Sequence, residues 1–541
     1  SAFKQIGRGA PRKDIPSKVF GSAQFGLDVR LPQMVFASLR MAPELGGAPG
    51  GLDVAAALAL PGVERVVSFP PYAGAGAGFA VVGSSWWHAE RGAAAVKTDW
   101  RPRLAGSLDS AQIARDLDRA LDEQSGFGFY QRGEALQELK TAQSTPGARL
   151  LAASYHAPYL AHATLEPMNC TAQVQDGRVT IWLPTQVPQL AQALAARVAG
   201  VALEQVAVHV TQLGGGFGRR LDVDFVGQAV RIAQECGGRP VQLIWPREQD
   251  FTHDFYRPMQ TARLKGLLDA EGQLQVLQVR AAGDAVSPRW IERTMPALSG
   301  PVDPPDKTTA EGLFDQPYDI PHQHMAHVAT RSGVPVGFWR SVGHSHNAFF
   351  TESFIDELAA LAERDPLEFR RTLLARAPRH LAVLNLAAEK AGWGSAVPSG
   401  RARGIALHES FGSVVAQVAE VSLERGQIRL HKVDCAIDCG ICVNPATVAQ
   451  QMEGSVVFAL TALLYGDIHI EKGRVQGNNF PSHPLLTLAQ APQVRTHILP
   501  SQRAPSGVGE PGVPPLAAAV ANALYQLNGQ RLRRLPLRTM G

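Results

Sequence analysis

The 541-residue chain has no apolar run of the roughly 18 residues that cross a bilayer; its longest, 456–464, reads as a core helix. It has little excess charge. Lys and Arg number 52 against 48 Asp and Glu, and the net +4 is too small for this length to suggest a nucleic-acid partner. Cysteine is scarce, at five. Cys435-x3-Cys439-x2-Cys442 invites an iron–sulfur or zinc reading, yet three thiols at the end of an apolar strand, without a fourth ligand nearby, read as small buried residues. No ferredoxin-type cysteine set exists, so redox centres serving this protein are held elsewhere. Ser1-Ala-Phe-Lys4 is neither a signal peptide nor an initiator start, which points to processing or to one piece of something longer.

What is present is a loop-rich, rather apolar chain: 45% hydrophobic, 18% charged, with 52 Gly and 38 Pro. Its length exceeds one core and predicts three or four domains. Residues 18–100 read as an α/β unit, with strand and turn over 19–32, a short helix over 52–60, strands at 63–69 and 79–82, and a helix over 86–96 leading to a strand that ends near Trp100. Residues 101–147 read as a polar, mostly helical linker. From Leu150 strands alternate around Asp176-Gly177, Glu271-Gly272 and Arg425-Gly426, which are hairpin signals. Helices are expected over 189–198, 225–235, 352–362, 367–375, 446–464 and 516–527, and the break between two halves falls near 395–403.

Four constellations carry chemistry. Ser506-Gly-Val-Gly-Glu510-Pro-Gly places one carboxylate on a glycine-rich corner that Pro511 keeps out of helical backbone, ahead of a nearly uncharged helix. Held rigidly and desolvated, Glu510 is a plausible general base; a solvated loop glutamate is the plain alternative. Leu213-Gly-Gly-Gly-Phe217-Gly-Arg-Arg220, between a strand and a helix, offers a row of backbone N–H groups and two cations to a phosphate or flat cofactor. Neither a Walker A loop nor a good dinucleotide fingerprint results, and a tight turn explains it as well. Arg340, in Trp-Arg340-Ser-Val-Gly343, needs an anion or carbonyl partner. His344 and His346 read as strand positions in a polar loop, and His162-x3-Glu166 only superficially as a metal pair. Asn444-Pro445 opens the helix carrying Gln450, Gln451 and Glu453, where helix capping accounts for Asn444 almost as well as a phosphate site does.

Taken in order, Gly214-Gly-Gly-Phe217-Gly218, Arg340-Ser-Val-Gly, Asn444-Pro445 with Gln451-Met-Glu-Gly454, and Gly507-Val-Gly509-Glu510-Pro resemble the molybdopterin-binding subunits of the xanthine oxidase/aldehyde oxidase family. Thr185-Gln186 stands ahead of the glycine loop as in that family. The wording around Arg340-Ser-Val-Gly-His-Ser-His-Asn347 and His162-Ala-Thr-Leu-Glu166-Pro-Met-Asn169 is closest to the β-subunits of the isoquinoline 1-oxidoreductase branch. The resemblance covers nearly the whole chain. It implies an α+β fold: a hammerhead-like α/β domain with linker (1–148), then a molybdopterin-binding body in two parts (149–398 and 399–541), the second holding Glu510.

It also implies a molybdopterin, in the cytosine dinucleotide form, with no metal bond from a side chain. Gln186 would hydrogen-bond an oxo ligand, and Glu510 would be the base that takes the proton from a hydroxo ligand. Phe217 and Gly218 would lie against the metal side of the pterin, with Arg340 beside the metal centre and Gly215, Gly216 and Gly509 among the cofactor-binding residues. Asn444 and Gln451 would hold the dinucleotide. The reaction implied is oxidation of an aldehyde or N-heteroaromatic compound with water-derived oxygen.

Two departures stand against the pattern. The family's second cofactor loop, a Met/Leu-Gly-Gln-Gly segment, is absent, so a further polypeptide or a processed segment would supply it. Leu221 occupies the place where xanthine oxidase uses a substrate-binding glutamate, which argues against purines. Implied partners are a small subunit with two [2Fe–2S] clusters and, in some relatives, a c-type cytochrome; a periplasmic or membrane-associated setting is favoured over the cytoplasm. Two other readings compete: a non-catalytic or incomplete paralogue serving as a binding or scaffold subunit, and an unrelated nucleotide-binding enzyme using Gly214–Gly218.

Overall fold

The computed structural model describes residues 3–539; Ser1 and Ala2 of the chain start lie outside the described residues. Three sheets dominate. A seven-stranded sheet runs in the order Val206–Val210, Arg178–Leu183, Asn169–Gln175, Val241–Ile244, Val35–Met41, Gly78–Gly83, Val63–Phe69. A five-stranded sheet has the order Phe127–Arg132, His322–Thr330, Leu274–Asp284, Gln260–Leu268, Arg149–Ala157. A four-stranded sheet joins Arg401–Ser410, Ser413–Glu424, Gln427–Asp438 and Gln493–Ile498.

The turn chemistry explains two of the hairpins. Asp176 and Gly177 have φ of 50° and 72°, and Arg425 and Gly426 have 53° and 78°, the paired left-handed residues that a two-residue hairpin needs. Strand 35–41 is parallel to strand 241–244 and antiparallel to strand 78–83, so the early strands complete a sheet begun by residues 169–244. Where the sequence suggests strand and turn over 19–32, the chain instead forms the helix Ile15–Val19, a single 3₁₀ turn and then the strand Val35–Met41. The 101–147 linker contains an edge strand, Phe127–Arg132, as well as the helices Ser110–Glu123 and Ala135–Thr141.

Two helices organise the core around the site. His344–Leu361 is buried from its first turn and contacts both the five-stranded sheet and the helix Pro514–Asn528, which lies on the four-stranded sheet. One apolar cluster contains Phe349, Phe354 and Leu358 from the first helix with Leu516, Val520 and Leu524 from the second. Burying each such side chain is worth about 1.5–3 kcal/mol. The first helix begins eight residues before the expected start at Glu352. His344 and His346 therefore sit in a buried helical turn and not on a strand in a polar loop. Among the described residues no helix is long and apolar enough to cross a membrane.

Candidate active site

The glycine-rich segment is a strained loop pressed between two others. Gly215, Phe217 and Gly218 have φ of 111°, 56° and 110°. A β-carbon on Gly218 would lie 1.8 Å from the Phe338 carbonyl oxygen, and one on Gly214 would lie 2.3 Å from the Glu166 Cβ, so only glycine fits either place. Glu166 accepts from the Gly214 N–H at 2.8 Å and the Leu27 N–H at 3.2 Å. His162 directs Nδ1 to Asp254 at 2.8 Å and Nε2 to the Phe338 carbonyl at 2.6 Å. These two residues, which by spacing look like a metal pair, are braces for the loop. Among the described residues no group of three potential ligands could hold a metal ion.

The two arginines after the loop do not face outward to a ligand as the sequence suggests. Arg219 and Arg220 are 1% and 0% exposed. Arg219 forks onto Asp224, both contacts at 2.9 Å; Arg220 donates to the Gly215 and Glu166 carbonyls at 2.7 and 2.8 Å. A guanidinium taken out of water needs such acceptors, and the loop carbonyls provide them. Their role is to hold the loop's shape.

Arg340 and Glu510 meet across a second strained turn. Ser341 and the β-branched Val342 have φ of 75° and 44°. Each such residue costs on the order of 1–3 kcal/mol and persists only where its surroundings hold it. The turn aims the Ser341 N–H at the Glu510 carboxylate, which accepts it at 2.9 Å, while the Ser341 hydroxyl donates to the Glu510 carbonyl at 2.8 Å. Arg340 Nε donates to the Gly509 carbonyl at 2.8 Å, and its Nη2 reaches Ser455 at 2.9 Å, Gln451 Oε1 at 3.3 Å and Gly509 again. Burial lowers the Arg340 pKa, and the charge of Glu510 opposes the shift.

The remaining expected residues divide. Gln186 joins the group: a β-carbon on Gly216 would stand 2.8 Å from its Oε1, and among the described residues its carboxamide makes no hydrogen bond. Gln451 lies two turns into the helix Pro445–Tyr465, beside Arg340. Asn444 stands apart, seven residues and about 10 Å back along that helix. It caps the helix through Ala446 at 3.1 Å, and both its polar atoms also bond the backbone of Ala10. The five cysteines carry no disulfide, and burial pushes Cys236 up to about 11 and Cys435 to about 12.

A cavity of about 720 Å³ opens between the glycine loop, the Trp339–Arg340 segment and the helix Pro445–Tyr465, lined by Gly215, Phe217, Trp339, Arg340, Gly454 and Phe458 among others; Glu510, Gln186 and Gln451 stand outside this lining. Phe458 is not among the residues expected from the sequence. Its ring centroid lies 4.6 Å from that of Phe217 and 4.7 Å from that of Trp339, with the Arg340 guanidinium 5.5 Å away. Gln451, Gly454, Ser455 and Phe458 recur at helical three- and four-residue spacing, which is the signal that could have found it. Ser341 escapes sequence reasoning because nothing local marks a serine as left-handed.

Residues 123–374 and 382–492 match the molybdopterin cofactor-binding domain family. The chain is 31% identical to the β-subunit of the isoquinoline 1-oxidoreductase of Brevundimonas diminuta over 99% of its own length and 69% of the relative's. It is 28% identical to a subunit of the nicotinate dehydrogenase of Pseudomonas putida, over 99% of its own length and 46% of that relative's. A third relative, a membrane-bound aldehyde dehydrogenase [pyrroloquinoline-quinone] of Gluconacetobacter polyoxogenes, is 27% identical over 97% of this chain and 70% of that one. The fold is shared with quinoline 2-oxidoreductase from Pseudomonas putida 86 (TM-score 0.80, 16% identity, 98% of this chain and 97% of that one). It is also shared with aldehyde oxidoreductase from Desulfovibrio gigas (TM-score 0.77, 16% identity, 99% and 80%). The chain belongs to the molybdopterin-binding large subunits of the xanthine oxidase family.

Proposed function

We propose that this chain is the large subunit of a molybdenum hydroxylase that oxidises an aldehyde or an N-heteroaromatic compound, with Glu510 as its base. The observation that carries the reading is the paired fastening of Glu510 and Arg340. One carboxylate is fixed by a strained backbone N–H, and one guanidinium is fixed to the adjacent carbonyl.

The residues fit a molybdopterin. The cradle at Gly215 is one a β-carbon would fill, standing 3.1 Å from the Phe217 ring. Apolar walls at Phe217, Trp339 and Phe458 suit a flat heterocycle, with Arg340 in the same lining; beside that lining the Gln186 carboxamide stands against Gly216 and the Gln451 carboxamide against Arg340. When bound, the molybdenum cofactor supplies the two-electron oxidation and the water-derived oxygen. Gln186, against Gly216, would hold it through a hydrogen bond. Gly216, Phe217 and Gly218 orient it, and Gly509 keeps Arg340 beside it. Glu510 takes up the proton released as the substrate is hydroxylated. Its second oxygen stays available because Ser341 occupies only Oε1, and it is at most half-exposed, which limits competition from bulk water.

The cytosine dinucleotide form follows from the branch resemblance, with the amides near Asn444 toward the tail and Gln451, bonded to Arg340, nearer the metal end. Because no cysteine set is available in this chain, the electrons pass to a small partner subunit with [2Fe–2S] clusters, and from there in some relatives to a c-type cytochrome. A further polypeptide or a processed segment supplies the Gly-Gln-Gly loop. The proposed division is a first domain over 1–148 and a two-part body that divides near 398; the two family matches begin at 123 and part between 374 and 382, ahead of both bounds. Metal analysis and mass spectrometry of the natively purified complex test this. About one molybdenum and about four irons per complex, from two [2Fe–2S] clusters, are expected. A complex purified from molybdenum-replete cells without molybdenum overturns the reading and leaves the scaffold alternative.

A further inference from the structure

One group of titratable side chains beside Glu510 has no part in the chemistry above. Glu311 follows the short helix Lys307–Ala310, whose segment is tied to the frame that holds Glu510: the Gly343 N–H donates to the Thr308 carbonyl at 3.1 Å. Asn347 donates to the Thr309 and Glu311 carbonyls at 3.0 and 2.8 Å. Gly343 directly follows the Arg340–Val342 turn, so Glu311 and Glu510 hang from one piece of backbone.

Behind Glu311 stands a pair of buried imidazoles. His344 Nε2 is 3.6 Å from the Glu311 carboxylate, and His344 Nδ1 faces His408 Nε2 at 2.8 Å. Burial lowers His344 to about 4 and His408 well below the ordinary histidine range, so both rings are neutral near pH 7. Two neutral rings joined this way have two arrangements of hydrogens. When His408 donates, His344 turns Nε2–H toward a Glu311 oxygen and leaves the single proton of a protonated Glu311 free to donate elsewhere; when His344 donates through Nδ1, its bare Nε2 faces Glu311 and competes for that proton. The pair thus serves Glu311 as either acceptor or donor.

Glu311 is the member of this line that reaches open space. Its side chain is 23% exposed, against 5% for His344. Phe411, 39% exposed with φ of 52°, stands alongside with its ring 5.6 Å from that of His344. Its carbonyl accepts the Gly507 N–H at 3.1 Å, on the loop that carries Glu510. Phe411 and Glu311 thus both adjoin His344, and Phe411 is bonded to the loop that carries Glu510.

We propose that Glu311, set by His344 and His408, is a substrate-binding carboxyl group that donates to the ring nitrogen of an uncharged N-heteroaromatic substrate lying against Phe411; the proposal rests on the hydroxylase reading above. The charges around Glu311 support an uncharged ligand. Burial, then Asp315, pushes its carboxyl up to about 7; Lys307 opposes, while Asp306 and Glu510 add to it. It is thus protonated in a large fraction of molecules at neutral pH. Three neighbouring carboxylates against one lysine disfavour a substrate bearing its own carboxylate.

The test is calorimetric binding of isoquinoline and of naphthalene, which has the same shape without nitrogen, to the purified complex and its Glu311→Ala and Glu311→Gln variants. Glu311→Ala should weaken isoquinoline binding about tenfold, the worth of one hydrogen bond, and leave naphthalene unchanged. The wild type should lose affinity for isoquinoline as pH rises through about 7, because the donor is lost, and Glu311→Gln, which always donates, should not. Equal effects on both ligands, no effect on either, or a pH dependence that survives in Glu311→Gln would overturn the proposal. Metal content and turnover of the wild type, measured in parallel, report on the hydroxylase reading separately. A complex that binds isoquinoline through Glu311 but oxidises nothing would retain this site and lose that reading.

Discussion

Ser341 holds Glu510 twice: its backbone N–H donates to the carboxylate at 2.9 Å and its hydroxyl donates to the Glu510 carbonyl at 2.8 Å. The first bond exists only because Ser341 adopts φ of 75°, which turns its N–H toward the glycine-rich corner. The strain and the placement of the carboxylate are one feature.

Ser341→Ala should therefore be mild. It keeps the N–H and removes only the hydroxyl bond, a net loss of about 0.5–1.5 kcal/mol. A small drop in unfolding temperature with turnover reduced less than about tenfold is expected by scanning calorimetry and steady-state assay, since that energy corresponds to at most one decade in rate. Ser341→Pro removes the N–H and cannot reach positive φ, so it should cost turnover far more than Ser341→Ala does.

Arg340 is held by geometry that lysine cannot copy. Its fork serves Gly509, Ser455 and Gln451 together. Arg340→Lys keeps the charge but leaves at least one of these buried acceptors unserved, at about 1–3 kcal/mol. Turnover should fall about tenfold to a hundredfold by that energy, with molybdenum content below wild type by elemental analysis.

Gly218 tests the cradle. Its φ is 110°, and a β-carbon there would meet the Phe338 carbonyl oxygen at 1.8 Å, so Gly218→Ala must displace either the glycine loop or the segment leading to Arg340. Loss of cofactor during purification, read as absorbance and metal content, is expected, with the subunit still folded by circular dichroism. Gly529→Ala, at a helix end with nothing within 4 Å of a β-carbon, is the matched control for positive φ alone.

The sequence makes some of this legible for identifiable reasons. The helices over 188–199, 224–234 and 514–528 begin and end within two residues of expectation, because Pro, Gly and apolar periodicity mark them locally. The long helix from His344 begins too late in the sequence reading, because its first turn is polar and is buried by distant segments. The edge strand Phe127–Arg132 depends on pairing with residues 323–327, a partner almost 200 positions away. In the site, Gly214–Gly218 and Glu510 are visible as glycine-rich corners. What glycine spacing cannot show is that Arg219 and Arg220 turn inward, that Glu166 and His162 brace the loop, or that Phe458 faces Phe217.

Glu311 also leaves a mark on stability. Its pKa in the folded chain, about 7, stands above the ordinary 4.5, so the folded state holds a proton that the unfolded chain has released. Stability contributed by that proton is fully present below about 4.5 and is lost as pH rises through about 7. Wild type compared with Glu311→Gln by thermal unfolding between these values should differ in slope, the wild type losing ground as pH rises.

The most direct test of the account is Glu510→Gln in the assembled, metal-loaded complex. The amide can still accept from the Ser341 N–H, so molybdenum and iron contents should equal wild type, while turnover on every substrate the wild type oxidises should fall by at least about a hundredfold, the scale of one lost general base. A fully loaded Glu510→Gln complex with turnover near that of wild type would contradict it, and another residue would have to be the base.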